Sequence, residues 1–424
     1  MLTREENALL TRTGPGTPLG ALFRRYWLPV LLSEELPEPD GDPKQVRLLG
    51  ERLVAFRDTR GRVGLLEEAC PHRCASLAYG RNEECGLRCI YHGWKVDVDG
   101  NILETPPEPP ESTFKDRIKH VAYPTREANG SIWAYLGPRD QMPPFPEWEW
   151  QRAPAAQFGV TKIYEDCNYL QGVEGSIDSA HSDYLHSSNI RGRPRDHAPR
   201  LETQDTAYGF RYAAIRKPDV NPERQQYVRV TIWVAPCHVL IPPLRSRVAG
   251  SATDGDEVAV HQAWVPLDDE HNAFFTFAYN RTGPLPAHWR EHAASFGLAS
   301  NYGWPRRNRA NLHLQDRAAM RAGNWSGIEG VNEQDFAMVE SMGPIVDRSR
   351  EHLGASDVAV IRMRRRLLQA VRAVQAGEVP IGLDPAIPYG RIATDERIIP
   401  IDAPWESVAA FAGEYVPDPA AARA

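Results

Sequence analysis

The chain has 424 residues, two domain lengths or more, and its 42% hydrophobic and 25% charged content is that of an ordinary globular protein. A formal net charge of −7 argues against nucleic acid as a general partner. No apolar run approaches bilayer-spanning length; Arg24-Arg25 lies too far in for a twin-arginine signal, and the expected place is the cytoplasm, with no membrane.

In chain order, Gly14-Pro-Gly16-Thr-Pro-Leu-Gly20 looks like a dinucleotide loop. It has one residue too many before its last glycine and no preceding strand, so no nicotinamide site is expected on this chain. Leu53–Arg57 reads as a strand, Thr59-Arg60-Gly61 as a turn, and Val63–Leu66 as a second short strand. Lys95–Val98 runs into Asp99-Gly100, a hairpin signal. Between these strands stand Cys70-Pro-His72 and, after sixteen residues, Cys89-Ile-Tyr-His92. Two cysteines and two histidines suit either one zinc ion or a two-iron, two-sulfur cluster. Zinc ligand pairs usually have two to four residues between them. Cys-x-His is tight for one ion and fits better if cysteine and histidine serve neighbouring irons, as in a Rieske centre. Cys74 and Cys85 lie in the same span and could approach, although a reducing compartment disfavours a disulfide. Cys167 and Cys237 read as buried thiols.

A proline-rich stretch from Gly137-Pro138 to Pro146 divides the chain. Beyond it comes Asp178-Ser-Ala-His181 and, after four residues, His186. Two histidines and a carboxylate on one face of ferrous iron leave the other face open to oxygen. A separation of five lets His181 and His186 both point inward from a helix that loosens near its end. Asp178 read locally is a helix cap. Arg229–Val234 and Ala273–Ala278 read as strands. Asn332–Pro344 reads as a helix ended by Gly343-Pro344; it offers Asp335 as the third ligand, with Glu333 and Glu340 as competitors. Ile361–Val371 reads as a basic amphipathic helix whose role is a salt-bridged face, with reductase docking as the alternative.

Cys70-Pro-His72-Arg-Cys-Ala-Ser with Cys89-Ile-Tyr-His92-Gly-Trp-Lys resembles the Rieske domain of ring-hydroxylating oxygenases. The stretch from Asn168 to His186 resembles their catalytic-iron motif. The resemblance implies an α+β chain. A small all-β Rieske [2Fe-2S] domain would span 45–140. A larger catalytic domain would span 141–424, with a central antiparallel sheet covered by helices, and residues 1–44 would pack on it. Cys70, His72, Cys89 and His92 would hold the cluster; His181, His186 and Asp335 would hold a mononuclear Fe(II). Asp178 would bridge His181 to the partner subunit's His92, which implies a homotrimer, or a multiple of trimers, closed head to tail. Electrons would come from NAD(P)H through a separate flavin/iron-sulfur reductase; no plant-type ferredoxin cysteine spacing is present here.

Met338–Asp357 and Gly14–Gly20 are similar to the phthalate dioxygenase branch of that family, which implies O2 and a carboxylated aromatic as substrates. Arginine suits a carboxylate by forming two parallel hydrogen bonds, and Arg216 and Arg229, on candidate strands, are the expected anchors. The expected reaction is phthalate-type dihydroxylation; O-demethylation of a methoxylated aromatic acid would use the same iron. A Rieske electron carrier without oxygenase activity is the remaining alternative. Residues 187–195 follow the resemblance less closely.

Overall fold

The computed structural model describes residues 1–189, 198–243 and 258–408, and the chain divides into two units. One holds Thr13–Phe145 with Val265–Asp268; the other holds Met1–Arg12, Pro146–Trp264 and the chain from Asp269. The division differs from the sequence expectation for residues 1–44, since only the first twelve group with the catalytic part. The reason is strand pairing. Trp27–Leu32, buried along its whole length, pairs antiparallel with Ser131–Tyr135, and a buried strand needs such a partner for its backbone groups.

The cysteine-bearing unit is built of small antiparallel sheets. Lys44–Leu48, Glu51–Arg57 and Val63–Glu67 form one; Arg81–Glu83, Gly86–Arg88, Lys95–Val96 and Ile102–Glu104 form another. Alternation along Glu51–Arg57 turns Val54 and Phe56 into a core with Leu66, Leu87, Trp94 and Val96. The expected hairpin is present. Asp97 Oδ1 accepts from the amides of Asp99 and Asn101 at 2.9 and 2.7 Å, and Gly100 takes φ +81°. A Cβ there would stand 2.3 Å from His120 O, so only glycine fits.

The second unit is organised by a nine-stranded sheet. Its order is Arg200–Asp205, Gly209–Arg216, Gln225–Val234, His238–Ile241, Val258–Pro266, Asn272–Asn280, Phe158–Glu165 and Tyr302–Gly303, with Glu396–Pro400 also paired to Gln225–Val234. The described registers are antiparallel except for Lys162-Ile163 against Tyr302-Gly303. Period-two alternation puts Arg216, Arg229, Thr231, Val260, Gln262 and Trp264 on one face. Over that face lie the helices Tyr169–Ser176 and Val331–Ser341. Gln171 ties them together: its Nε2 donates to Val339 O and Gly343 O at 2.8 and 3.0 Å, and its Oε1 accepts from the Val346 amide at 3.0 Å. No described helix is long and apolar enough to cross a membrane.

Glu174, inside the Tyr169–Ser176 helix, anchors the late part of the chain. Its carboxylate receives Arg348 at 2.9–3.1 Å and Arg364, from the Val358–Gln375 helix, at 2.6 Å. Arg364 also pairs with Glu351, and Arg362 with Asp205, so the basic helix has the salt-bridged face expected of it. Burial pushes the Glu174 carboxyl up, but Arg348 and Arg364 outweigh it and hold it below the usual carboxylate range. Removing one partner of a buried ion network leaves the others uncompensated. Glu174→Gln should therefore lower stability by roughly 3 kcal/mol or more in urea unfolding. The folded pKa lies below the unfolded one, so this contribution is present above the unfolded value and is lost as pH falls through the folded value. The difference between wild type and Glu174→Gln should close toward acid.

Candidate active site and metal centres

Cys70 and Cys89 open two loops of the same build. The Cys70 amide donates to Ala75 O and the Cys74 amide to Cys70 O, both at 2.8 Å; the Cys89 amide donates to Trp94 O at 2.8 Å and the Gly93 amide to Cys89 O at 2.9 Å. Each loop turns through a left-handed residue four places after its cysteine: Cys74 at φ +58° and Gly93 at φ +76°. Cys74 is therefore a turn residue, and its thiol and that of Cys85 are free. Cys70 and Cys89 are both buried, and burial, with Cys89 alongside, pushes the Cys70 thiol up to about 11. The His72 and His92 rings meet edge to face with centroids 4.5 Å apart, and His72 stacks on Trp94 at 4.8 Å. His92 Nδ1 is buried with no hydrogen-bond partner among the described residues. Two adjacent buried sulfurs and an unpaired imidazole nitrogen fit a cluster with cysteines on one iron and histidines on the other.

The two histidines of the second centre are not on the α-helix that precedes them. The Tyr169–Ser176 helix ends before His181, where the sequence suggested a loosening helical end. Asp178 supplies the reason. Its Oδ1 accepts from the Ala180 amide at 2.7 Å and the His181 amide at 3.4 Å, a local turn that competes with helix. Its Oδ2 stands 3.5 Å from His181 Nδ1, so one carboxylate serves both the cap and the imidazole.

His181 Nε2 and His186 Nε2 are 3.1 Å apart, and Asp335 Oδ1 lies 3.4 and 3.0 Å from them. Donors at right angles on bonds of roughly 2.1 Å would stand about 3.0 Å apart, so the three fit one metal ion. Among the described residues these three form the set whose donor atoms all lie within 4.8 Å of one another. Glu340 is used elsewhere, accepting from the Asp166 amide at 3.0 Å, and Glu333 is outside the set. Burial opposes charge on His181, but Asp178 and Asp335 outweigh it and lift the imidazole to about 10. Burial pushes Asp335 up as well, and the two imidazoles outweigh it and hold the carboxyl low. A cation binding here displaces the shared proton.

Gln334 was not singled out from the sequence. Its Nε2 donates to Asn189 Oδ1 and Ile328 O at 2.8 and 2.7 Å, which turns its Oε1 to His186 Nδ1 at 2.7 Å. The proton of His186 is thereby held on Nδ1 and the Nε2 lone pair faces the metal position.

These groups border a cavity of about 380 Å³ walled by Ile241, Val260, Trp264 and Val339. Both expected arginines line it, 6% and 8% exposed. The register pairs Arg216 with Tyr227 and Arg229 with Ala214, so the two are diagonal neighbours on one face. Arg216 grips Asp183 at 2.9 Å; Arg229 donates to Pro242 O at 3.4 Å and stands 3.6 Å from Glu396. Each keeps an Nη1 without a hydrogen-bond partner among the described residues. Gln262 and Trp264 complete this face; the alternate positions 258, 260, 262 and 264 of one strand are the signal that would have found them. Of the divergent stretch 187–195, residues 190–195 lie outside the described residues.

The family model described as Rieske [2Fe-2S] domain matches residues 26–121, and that described as LigXa C-terminal domain like matches 134–418. The phthalate 4,5-dioxygenase oxygenase subunit of Pseudomonas putida is 46% identical over 96% of this chain and 94% of its own. The 3-chlorobenzoate-3,4-dioxygenase oxygenase subunit of Comamonas testosteroni is 36% identical over 96% and 98%, and the 5,5'-dehydrodivanillate O-demethylase oxygenase subunit of Sphingobium sp. is 34% identical over 91% and 85%. A solved dicamba monooxygenase bound to dicamba shares the fold at a TM-score of 0.61 and 18% identity, over 84% of this chain and 99% of that one. The zinc and electron-carrier readings fall away with these matches.

Replacing Gln334 by Leu removes the acceptor that orients His186. Binding of Fe(II), followed by anaerobic chelator competition, should weaken by roughly 10- to 100-fold, with the visible absorption of the cluster unchanged. Equal affinities would show that Gln334 does not set the imidazole.

Proposed function

This chain belongs to the Rieske oxygenases, and from that premise we propose that it dihydroxylates a carboxylated aromatic ring of the phthalate kind. It is the terminal oxygenase component of a multicomponent enzyme. Its cofactors are a Rieske [2Fe-2S] cluster and a mononuclear iron, and a separate reductase passes it electrons from NAD(P)H. When bound, the cluster supplies single electrons and the ferrous iron supplies activation of O2. Cys70, His72, Cys89 and His92 would hold the first, and His181, His186 and Asp335 the second.

The observation that carries the substrate reading is that Arg216 and Arg229 are diagonal neighbours in one cavity wall, both more than nine-tenths buried, with Arg216 Nη1 lacking a hydrogen-bond partner among the described residues and Arg229 Nη1 paired only loosely, at 3.6 Å from Glu396. An unmatched buried donor costs on the order of 1–3 kcal/mol, and a carboxylate matches it with a charge-assisted bond. Two diagonal guanidiniums suit two neighbouring carboxylates, or one held from both sides. Ile241, Val260, Trp264 and Val339 then exclude water and take the ring. Gln334 Oε1 accepts from His186 Nδ1, and Asp178 Oδ2 faces His181 Nδ1. O-demethylation of a methoxylated aromatic acid is the second reading, supported by the dehydrodivanillate O-demethylase relative.

Asp178 is our candidate for the bridge between centres. It holds His181 and keeps 30% of its side chain exposed, which supports the bridge to the partner subunit's His92 in a head-to-tail trimer.

The test is steady-state turnover of phthalate. Arg229→Gln should raise KM by roughly 30-fold, about 2 kcal/mol, with a smaller change in kcat. An unchanged KM would remove Arg229 from the carboxylate site.

A further inference from the structure

Arg216 has two neighbourhoods. Its Nε and Nη2 donate to Asp183 Oδ2 at 3.1 and 2.9 Å, and Nη2 also donates to the backbone oxygen of Ser179 at 2.7 Å. Both acceptors lie two residues from His181, one on each side. The Arg216 and Asp183 side chains are 2% and 5% exposed, so water does not loosen the pair. The third nitrogen, Nη1, has no hydrogen-bond partner among the described residues, and Arg216 is part of the cavity wall. Arg216 thus holds the loop that carries two metal donors and also belongs to the wall of the chamber proposed to take substrate.

The loop is suited to respond. From Asp178 to Asn189 it is a short 3-10 helix, His181–Asp183, followed by turns, with short-range bonds such as the Leu185 amide to His181 O at 2.8 Å and the Asn189 amide to His186 O at 2.9 Å. No sheet ladder fixes it. The guanidinium is planar and rigid, so a shift that brings Nη1 onto a carboxylate also moves the edge that holds Asp183 and Ser179. Arg229 offers the contrast. Its contacts are Pro242 O and Glu396, neither of them in the loop.

We propose that the Arg216–Asp183 pair couples occupation of the cavity's anion site to the placement of His181 and His186, with Asp183 as a positioning residue. The inference rests on the reading of Arg216 as a carboxylate anchor. Anion binding at Arg216 draws on the loop at both sides of His181, whereas binding at Arg229 adds affinity without moving the loop.

The experiment uses the full chain with its cluster oxidised and diamagnetic, and with Co(II) in place of Fe(II). Low-temperature EPR of the cobalt reads the ligand field without turnover, and calorimetry on the same samples reads phthalate binding. Wild type should bind phthalate and show a changed cobalt signal. Asp183→Asn should bind phthalate no more weakly than wild type, yet lose the phthalate-induced change. Arg229→Gln should bind roughly tenfold or more weakly and, at saturation, show the full wild-type change. A full change in Asp183→Asn would overturn the coupling, as would a wild type that binds phthalate with an unaltered signal. Failure of wild type to bind phthalate would overturn the anchor reading itself. Should Asp183→Asn not retain cobalt, Arg216→Lys decides, because it keeps the charge but cannot span Asp183 and Ser179. It should bind phthalate without the change, and a full change would overturn the proposal.

Discussion

Three donor atoms from two distant stretches of chain must meet within 3.4 Å, and the second unit is arranged around that requirement. His181 and His186 come from turns and Asp335 from a helix some 150 positions later. Neither element could hold the geometry alone. Gln171 clamps the helix before the turns to the helix that carries Asp335. Glu174, three residues further on, locks the same helix to Arg348 and Arg364. Displacement of either helix would break the buried Gln171 hydrogen bonds, and displacement of Tyr169–Ser176 would also break the charged ones of Glu174, which is costly in a low dielectric. Position at the metal is thus set by polar contacts one helical turn away from it.

The same polar economy makes the cavity informative. Glu174 is fully matched, and so are His186 Nδ1 and the loop-facing edge of Arg216. Against that background Arg216 and Arg229 stand out in one wall beside the metal donors: Arg216 Nη1 has no hydrogen-bond partner among the described residues, and Arg229 Nη1 is 3.6 Å from Glu396. Their apolar neighbours in the cavity wall are Ile241, Val260, Trp264 and Val339. On the proposed reading, anion, ring and oxygen-activating face would be specified by different elements of one chamber: sheet arginines, strand side chains and loop histidines.

What could be read beforehand was what covalent spacing encodes. Cys70-Pro-His72 and Cys89-Ile-Tyr-His92 are short enough that ligand order survives folding, and Asp99-Gly100 sets its turn locally. The strands around Val54 and Phe277 declared themselves by apolar content. What lay beyond reach depends on register and on distant partners. Asp178 ends the helix early through its own side chain, which a spacing argument overlooks. Residues 13–44 join the cysteine-bearing unit because Trp27–Leu32 finds its partner a hundred positions away. Gln334 orients His186, and Arg216 pairs with Asp183, only because remote segments are brought together. Arg216 and Arg229 were chosen from strand position and charge; their shared face required the register.

The most direct measurement of the central claim, that this chamber oxygenates an aromatic acid held by its arginines, is product mass after reaction of reduced enzyme with phthalate under isotopically labelled O2. The account predicts a product that gains two oxygens and two hydrogens, with both oxygens from O2. Phthalate recovered unchanged, while a neutral aromatic of the same size is oxygenated, would contradict it.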